Sequence, residues 1–210
     1  MKATKRIVIL LMIFAIMMSM TSCAKFRVND IFSCSIIDTD IDNYAERVAD
    51  IKYASQFMPN LSDLNGYTNI SYSYKCTLMG ITFFIPVAEA NSITLFVEYP
   101  DDIYKQKKAE VLLNYDFIEK ELYRQNGEFS ELITPLANFE YKGYAFKADV
   151  NEEYNITKSF VLIGCNDEAN RIVYCYFYDP DLDCFARNEL TASLEMNAFV
   201  DFNFEWNDIK

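Results

Sequence analysis

The chain has 210 residues, of which 31 are acidic and 19 are basic, and it contains no histidine. The missing histidine excludes Ser-His-Asp and Cys-His catalysis, His-ligated zinc and HExxH peptidases. The acidic balance argues against nucleic-acid binding, which needs clustered Lys and Arg, and the five glycines form no phosphate-binding loop.

The N-terminus has the pattern of a secretory signal. Lys2, Lys5 and Arg6 precede an unbroken apolar run at residues 7–18, and small residues then lead to Cys23. A helix of that length spans about 18 Å, well short of the roughly 30 Å hydrocarbon core of a bilayer. A permanent transmembrane helix is therefore the poorer interpretation of this run.

The residues Met20-Thr21-Ser22-Cys23 resemble a bacterial lipobox, in which a bulky apolar residue and two small ones precede cysteine. Met20 replaces the commoner Leu. The resemblance implies cleavage before Cys23 and a diacylglyceryl thioether on that cysteine. Two acyl chains hold a protein stably to a bilayer. We therefore expect a lipid-anchored protein on the extracytoplasmic face of a bacterial cell membrane, and the Ile-, Asn- and Lys-rich composition favours a Gram-positive cell.

We predict three segments: a signal peptide at residues 1–22, a short membrane tether at 23–38 and a single domain at 39–210. Five cysteines follow Cys23, and their wide, uneven spacing favours small buried hydrophobes over a disulfide framework. They are Cys34, Cys76, Cys165, Cys175 and Cys184.

The first half of the domain predicts a helix followed by strands. Helical spacing favours a helix over residues 40–57, capped by Thr39 or Asp40 and ended by Pro59. Strict alternation predicts a strand over residues 67–78, with one buried face and one face in solvent. An antiparallel sheet with an open face is the structure that this pattern favours.

The next elements are separated by turn signals. We predict a turn at Met79-Gly80, a short strand over residues 81–87 and another strand that presents Ile93, Leu95, Val97 and Tyr99 on one face. Pro100-Asp101 begins a second helix, which is predicted to reach about residue 122.

The second half of the domain predicts a central hairpin. Over residues 139–150 the apolar phase changes at Gly143, which indicates either a β-bulge or a tight turn at Lys142-Gly143. Residues 159–165 and 171–179 are apolar on both faces and form the hairpin. A last helix is expected over residues 189–202.

Phe204 and Trp206 are expected to close over the core after this helix. Together these elements predict an α+β fold, a mostly antiparallel sheet of five to six strands with about three helices packed on one face.

One acidic cluster invites a calcium hypothesis. Asp179, Asp181 and Asp183 alternate after the second strand of the hairpin. An EF-hand loop needs Gly at its sixth position and Glu at its twelfth, where this chain has Cys184 and Leu190. We therefore prefer a turn leaving the hairpin and keep these three residues as weak metal candidates.

The tyrosines and carboxylates allow further alternatives. Tyr72 with Tyr74, and Tyr174 with Tyr176 and Tyr178, each line one face of a strand, which suits a sugar- or peptide-binding platform but more often means core packing. A carboxylate pair is the surviving catalytic arrangement, as in glycoside hydrolysis, and no pair among the 31 acidic residues stands out.

Beyond the leader, the sequence is similar to uncharacterised small lipoproteins of clostridia-like bacteria, a similarity that implies no activity. We expect a non-enzymatic binding or interaction domain with no cofactor and no catalytic residues. Its partners are the membrane, through the lipid, and a protein or small-molecule ligand that the sequence does not identify. The alternatives are the solute-binding component of a transporter and a histidine-free carboxylate hydrolase.

Overall fold

The computed structural model of the chain describes residues 33–82, 85–117, 122–126, 129–134, 138–149, 159–178 and 196–206. The strands within these ranges are β1 (Ser33–Asp38), β2 (Asn69–Thr82), β3 (Ile85–Glu98), β4 (Leu122–Asn126), β5 (Phe129–Thr134), β6 (Asn138–Tyr141), β7 (Tyr144–Asp149), β8 (Ser159–Asn166) and β9 (Arg171–Tyr178). The helices are α1 (Tyr44–Asp50), α2 (Ala54–Phe57), α3 (Asp101–Asn114) and α4 (Met196–Asn203), with 3₁₀ turns at Ile41–Asn43 and Leu61–Asp63.

Seven of the strands form one sheet in the order β1-β2-β3-β9-β8-β7-β6, and every neighbouring pair is antiparallel. The predicted α+β class and antiparallel sheet are confirmed, but the predicted count of five to six strands is too low. β1 is the added strand, and it comes from the segment predicted as tether. Because β1 pairs with β2 along its whole length, the sheet begins at Ser33 rather than after residue 38. A separate two-stranded sheet pairs β4 with β5.

The sheet is packed on both faces. On the first face, α1, α2 and α3 cover alternate residues of β2, β3, β8 and β9. On the second face, Val200 of α4 and the following Phe204 pack on Phe96, Phe146 and Phe177. The prediction that the helices gather on one face is therefore wrong. Strands β8 and β9 are apolar on both sides, so each side needs a cover.

The central hairpin confirms the sequence pattern. β8 and β9 pair from Asn166↔Arg171 outward to Ser159↔Tyr178. Gly164 of β8 allows a close approach on the second face, because a Cβ there would lie 2.6 Å from Val173 Cγ1 and 2.8 Å from Phe146 Cε1. Glycine at this position therefore makes room for the Phe146 ring in the second-face core.

The predicted first helix is broken into two short ones. Asp40 caps the preceding 3₁₀ turn as expected, and its carboxylate accepts from the backbone N–H of Asp42. The chain then leaves the helix at Ile51 and passes through a left-handed Tyr53, at φ +66°, before α2. Ile51 and Ala54, on either side of the break, both face the first-face core.

The strands β2 and β3 form one long hairpin. The chain stays extended through Met79 and Gly80, so the turn predicted there is wrong. β2 pairs in unbroken order with β3 from Asn69↔Glu98 to Met79↔Ala88, and pairing resumes up to Thr82↔Ile85. The separate short strand predicted at residues 81–87 is therefore part of this hairpin.

The second predicted helix is also shorter than expected. α3 ends at Asn114 because Tyr115 takes extended backbone angles. Its ring then packs near Phe117 and Tyr174, and its hydroxyl donates to the Phe57 carbonyl. Tertiary contacts of Tyr115 thus end the helix eight residues before the predicted boundary at Leu122, which instead begins β4.

The phase change at Gly143 is a tight turn rather than a bulge. Lys142 and Gly143 have φ of +48° and +78°, and Tyr141 pairs with Tyr144 across them. Two consecutive positive φ angles are typical of the type I′ hairpin turn. The expected closure of the core by Phe204 and Trp206 is also seen, while residues 189–195 of the predicted last helix lie outside the described residues.

Candidate functional site

The sites predicted from sequence lie outside the described residues. Cys23 precedes them, and Asp179, Asp181 and Asp183 fall in the gap between β9 and α4. Within the described ranges, no three His, Cys, Asp or Glu side chains come together as a metal site would require. The structure therefore does not test the predicted lipidation and calcium sites.

The tyrosine faces are core, as the preferred interpretation held. Tyr72, Tyr74, Tyr174 and Tyr176 are all buried on the first face of the sheet. Tyr72 packs edge-on against Tyr44, with ring centroids 5.5 Å apart. These rings are not presented to a ligand.

A polar cluster joins the edge strand to α1. Asp38, at the end of β1, accepts from Arg47 Nε at 3.0 Å, from Asn43 Nδ2 at 3.1 Å and from the backbone N–H of Asp40 at 3.1 Å. Burial opposes ionisation of Asp38, but these hydrogen bonds outweigh it and lower its pKa. The Arg47 guanidinium also lies over the Tyr74 ring, 5.0 Å from its centroid. These hydrogen bonds fix the end of β1 to the 3₁₀ turn and to α1, so we interpret the cluster as structural.

One carboxyl is buried beside a second acid. Asp149, at the end of β7, is only 6% exposed. Burial raises its pKa to about 6, and the nearby Asp116 carboxylate adds to the shift, while the Asp116 backbone N–H opposes it. The bridge between Phe117 and Asp149 brings these two acids together. Asp116 is exposed, so the pair has one buried and one solvated carboxyl.

Two of the buried thiols, those of Cys165 and Cys175, are poor nucleophiles. Cys76, Cys165 and Cys175 form no disulfide and are buried, as predicted for small hydrophobes. Burial raises the pKa of Cys165 to about 11 and raises that of Cys175 further. A thiol with a raised pKa is protonated at neutral pH and does not attack substrates.

The feature that sequence reasoning missed is a group of buried hydroxyls on the second face. We call Ser71 and Ser73 of β2, with Thr94 of β3, the hydroxyl row. Ser73 and Thr94 are directly opposite each other across the two strands, and they are 2% and 1% exposed. The hydroxyls of Ser71 and Ser73 have no hydrogen-bond partner, and Thr94 has none beyond a weak contact with the Cys175 thiol directly opposite it. Leaving a buried hydroxyl unsatisfied costs about 1–3 kcal/mol, and buried polar groups in native proteins are normally paired.

The hydroxyl row contradicts a sequence prediction. Ser71 and Ser73 were expected on the solvent face of their strand, because they alternate with buried tyrosines. The structure instead covers that face. The signal that could have indicated this is on the next strand, where Ser92 and Thr94 alternate with Ile93 and Leu95. When small polar residues lie opposite each other on two adjacent strands, they form a continuous polar surface. They are then more than a single row of solvent-exposed side chains on one strand.

The chain after α4 passes over this surface. Ser92 Oγ donates to the backbone carbonyl of Asn203, and Trp206 packs edge-on against Phe96, with ring centroids 5.1 Å apart. Ser92 and Phe96 flank Thr94 on the same face of β3. The segment Asn203–Trp206, which we call the C-terminal segment, therefore runs along β3 with Thr94 beneath it.

Trp206 packs into an aromatic cluster beside the hydroxyl row. Its ring contacts Phe96, Tyr141, Tyr144 and Phe146, and its Nε1 is buried without an acceptor. Phe96 is directly opposite Ser71, so the indole lies beside the end of the hydroxyl row. Ser71, Ser73 and Trp206 thus place buried polar atoms without partners on one face of the sheet, next to an aromatic cluster.

The charges near this face are at its rim. Lys142 Nζ lies over the Tyr141 and Trp206 rings, 5.2 and 5.6 Å from their centroids, and 3.8 Å from Asp201 Oδ1. Asp201 also accepts from the Tyr141 hydroxyl. The hydroxyl row itself is made of neutral groups, each able to donate and to accept a hydrogen bond.

Of the helices in the described residues, none is long and apolar enough to cross a membrane. No protein-family model matches the chain, and the chain matches neither a curated protein nor a solved structure at a significant level.

Proposed function

We propose that this protein is a lipid-anchored protein on the extracytoplasmic face of a bacterial cell membrane, and that its domain is a non-enzymatic binding module. The observation that carries the anchor is the leader, a positive start and a 12-residue apolar run that ends at the lipobox-like Met20-Thr21-Ser22-Cys23. A diacylglyceryl group on Cys23 supplies two chains, which suffices for stable attachment.

The position of β1 supports a domain held close to the bilayer. Ser33, the first residue of the sheet, follows Cys23 by ten positions. Ten residues span at most about 35 Å even when fully extended. Ser33, at the start of the edge strand, therefore lies within that distance of the anchored cysteine, which keeps the domain near the membrane surface.

The chemistry of the side chains supports binding over catalysis. The sequence lacks histidine, the usual general base at neutral pH. The thiols of Cys76, Cys165 and Cys175 are buried, and burial raises the pKa values of Cys165 and Cys175. Within the described residues, no carboxylate or amine is hydrogen-bonded to the hydroxyl row in a position to activate an oxygen nucleophile.

Replacement of the lipidated cysteine tests the anchor. We expect Cys23→Ala to release the processed domain from membranes or to leave an unprocessed precursor, because the thioether has no other sulfur at the cleavage site. Fractionation with immunoblotting measures the distribution, and mass spectrometry of the N-terminal peptide detects the diacylglyceryl group. Cys34→Ala is the matched control and should stay lipidated and bound. A Cys23→Ala protein that is processed normally and stays on the membrane contradicts the proposal.

A further inference from the structure

We propose that the hydroxyl row is a binding site for a neutral saccharide, which gains access when the C-terminal segment lifts off β3. This inference rests on the proposed role as an extracytoplasmic binding protein and names the ligand class. Ser73 carries it, since it is 98% buried and its hydroxyl has no partner, and the equally buried Thr94 opposite it has only the weak contact with the Cys175 thiol.

The chemistry of the row matches a sugar. Each hydroxyl donates one hydrogen bond and accepts others, as sugar hydroxyls do. Ser71 and Ser73 are two residues apart on β2, about 7 Å along the strand, and Thr94 lies roughly 5 Å across from Ser73. Three polar groups at this spacing can engage neighbouring hydroxyls of one ring. A charged ligand would lack a counter-ion in the row itself.

Trp206 supplies the aromatic part of the site. An indole offers an apolar ring with one polar N–H, and this N–H has no acceptor. The ring lies on Phe96, which is opposite Ser71. Because Trp206 moves with the C-terminal segment, a sugar in the row would rest its apolar C–H face on Phe96, which stays on β3, and the indole would close over the sugar from the opposite side.

The C-terminal segment has the properties of a displaceable cover. Within the described part of the chain, the Ser92–Asn203 hydrogen bond and the packing of Phe204 and Trp206 hold the C-terminal segment over β3. Closing it leaves the row unpaired, whereas an opened, ligand-bound state pairs the same hydroxyls. A ligand that satisfies them therefore favours the open state.

The only tryptophan in the chain makes a direct test possible. The full lipidated protein in detergent micelles is titrated with maltotriose, cellotriose and chitotriose while Trp206 fluorescence is recorded. We expect a saturable change in emission with at least one of the three sugars. Ser73→Ala and Thr94→Val should each weaken binding roughly tenfold, whereas the exposed Ser62→Ala should bind as the parent does.

Thermal unfolding separates binding from folding. Ser73→Ala and Thr94→Val remove unpaired hydroxyls, so both variants should melt at or above the temperature of the parent. Failure of all three sugars to change the fluorescence, or unchanged affinity in both variants, would overturn the proposal. The Cys23→Ala protein is titrated in parallel and should bind the same sugar with the same affinity, so a failed localisation test and a failed binding test are distinguishable.

Discussion

The buried Asp149 predicts an unusual pH dependence at the scale of one residue. Its pKa of about 6 lies above the ordinary value of 3.8. The native state therefore binds the Asp149 proton more tightly than the unfolded chain does. The resulting stabilisation is complete below pH 4 and is lost as the pH rises through 6.

Replacement by the amide isolates this contribution. Asp149→Asn keeps an acceptor for the Asp116 N–H but carries no charge. We expect it to be more stable than the parent at pH 8, by up to about 3 kcal/mol for a two-unit shift, and nearly equal at pH 4. Urea unfolding at several pH values measures the difference. The control Asp116→Asn should lower the pH at which the parent loses stability, and a constant difference across pH would disprove the assignment.

At the scale of elements, the local sequence pattern predicted those strands whose apolar runs and turn residues lie next to each other in the chain. The hairpin β8–β9 was predicted because two apolar runs flank the polar turn 166–170. Asn166 stabilises this turn itself, since its Oδ1 accepts from the N–H groups of Glu168 and Ala169. The Lys142-Gly143 turn was likewise one of two predicted alternatives, because a phase change with glycine has few backbone solutions.

Elements that depend on distant partners were not predictable in this way. β1 is six residues with no turn signal beside it, and its partner β2 lies about 40 residues away. The covered hydroxyl row was missed for the same reason, because the alternation of serines and tyrosines in β2 does not indicate what packs on either side. The site depends on Asn203 and Trp206, more than 100 residues from Thr94.

The break between α1 and α2 is an element that depends on residues far away in the sequence, and this dependence can be tested. The carbonyls of Lys52 and Phe57 lie at the ends of this region, and they accept from the hydroxyls of Tyr176 and Tyr115 at 2.8 and 2.6 Å. A left-handed Tyr53 costs roughly 1–2 kcal/mol. These tertiary hydrogen bonds help to offset that cost.

Removing one hydroxyl should therefore destabilise the break. We expect Tyr176→Phe to lower the free energy of unfolding by about 1–1.5 kcal/mol, because the Lys52 carbonyl loses its donor while the ring stays buried. Chemical denaturation measures this change. The exposed Tyr67→Phe is the matched control and should change stability by less than about 0.5 kcal/mol. Equal effects of the two substitutions would mean that the hydrogen bond to Lys52 contributes nothing.

At the scale of the whole molecule, the net charge of −12 opposes folding. Like charges are closer together in the native state than in the unfolded chain, so their repulsion destabilises the compact form. The described ion pairs, such as Arg171–Glu98 at 3.0 Å and Lys107–Glu110 at 2.9 Å, are partly exposed. Surface pairs of this kind contribute little, so screening removes more repulsion than attraction.

Salt should therefore stabilise this protein. We expect the melting temperature to rise by several degrees between about 10 mM and 300 mM NaCl, with most of the rise below about 100 mM, where the Debye length changes most. Differential scanning calorimetry measures it. Glu140→Gln with Glu168→Gln, both exposed, should melt higher than the parent at low salt and gain less from NaCl. A melting temperature that falls as NaCl is added would show instead that attractive pairs dominate, and the acidic surface would then have to be balanced within the fold.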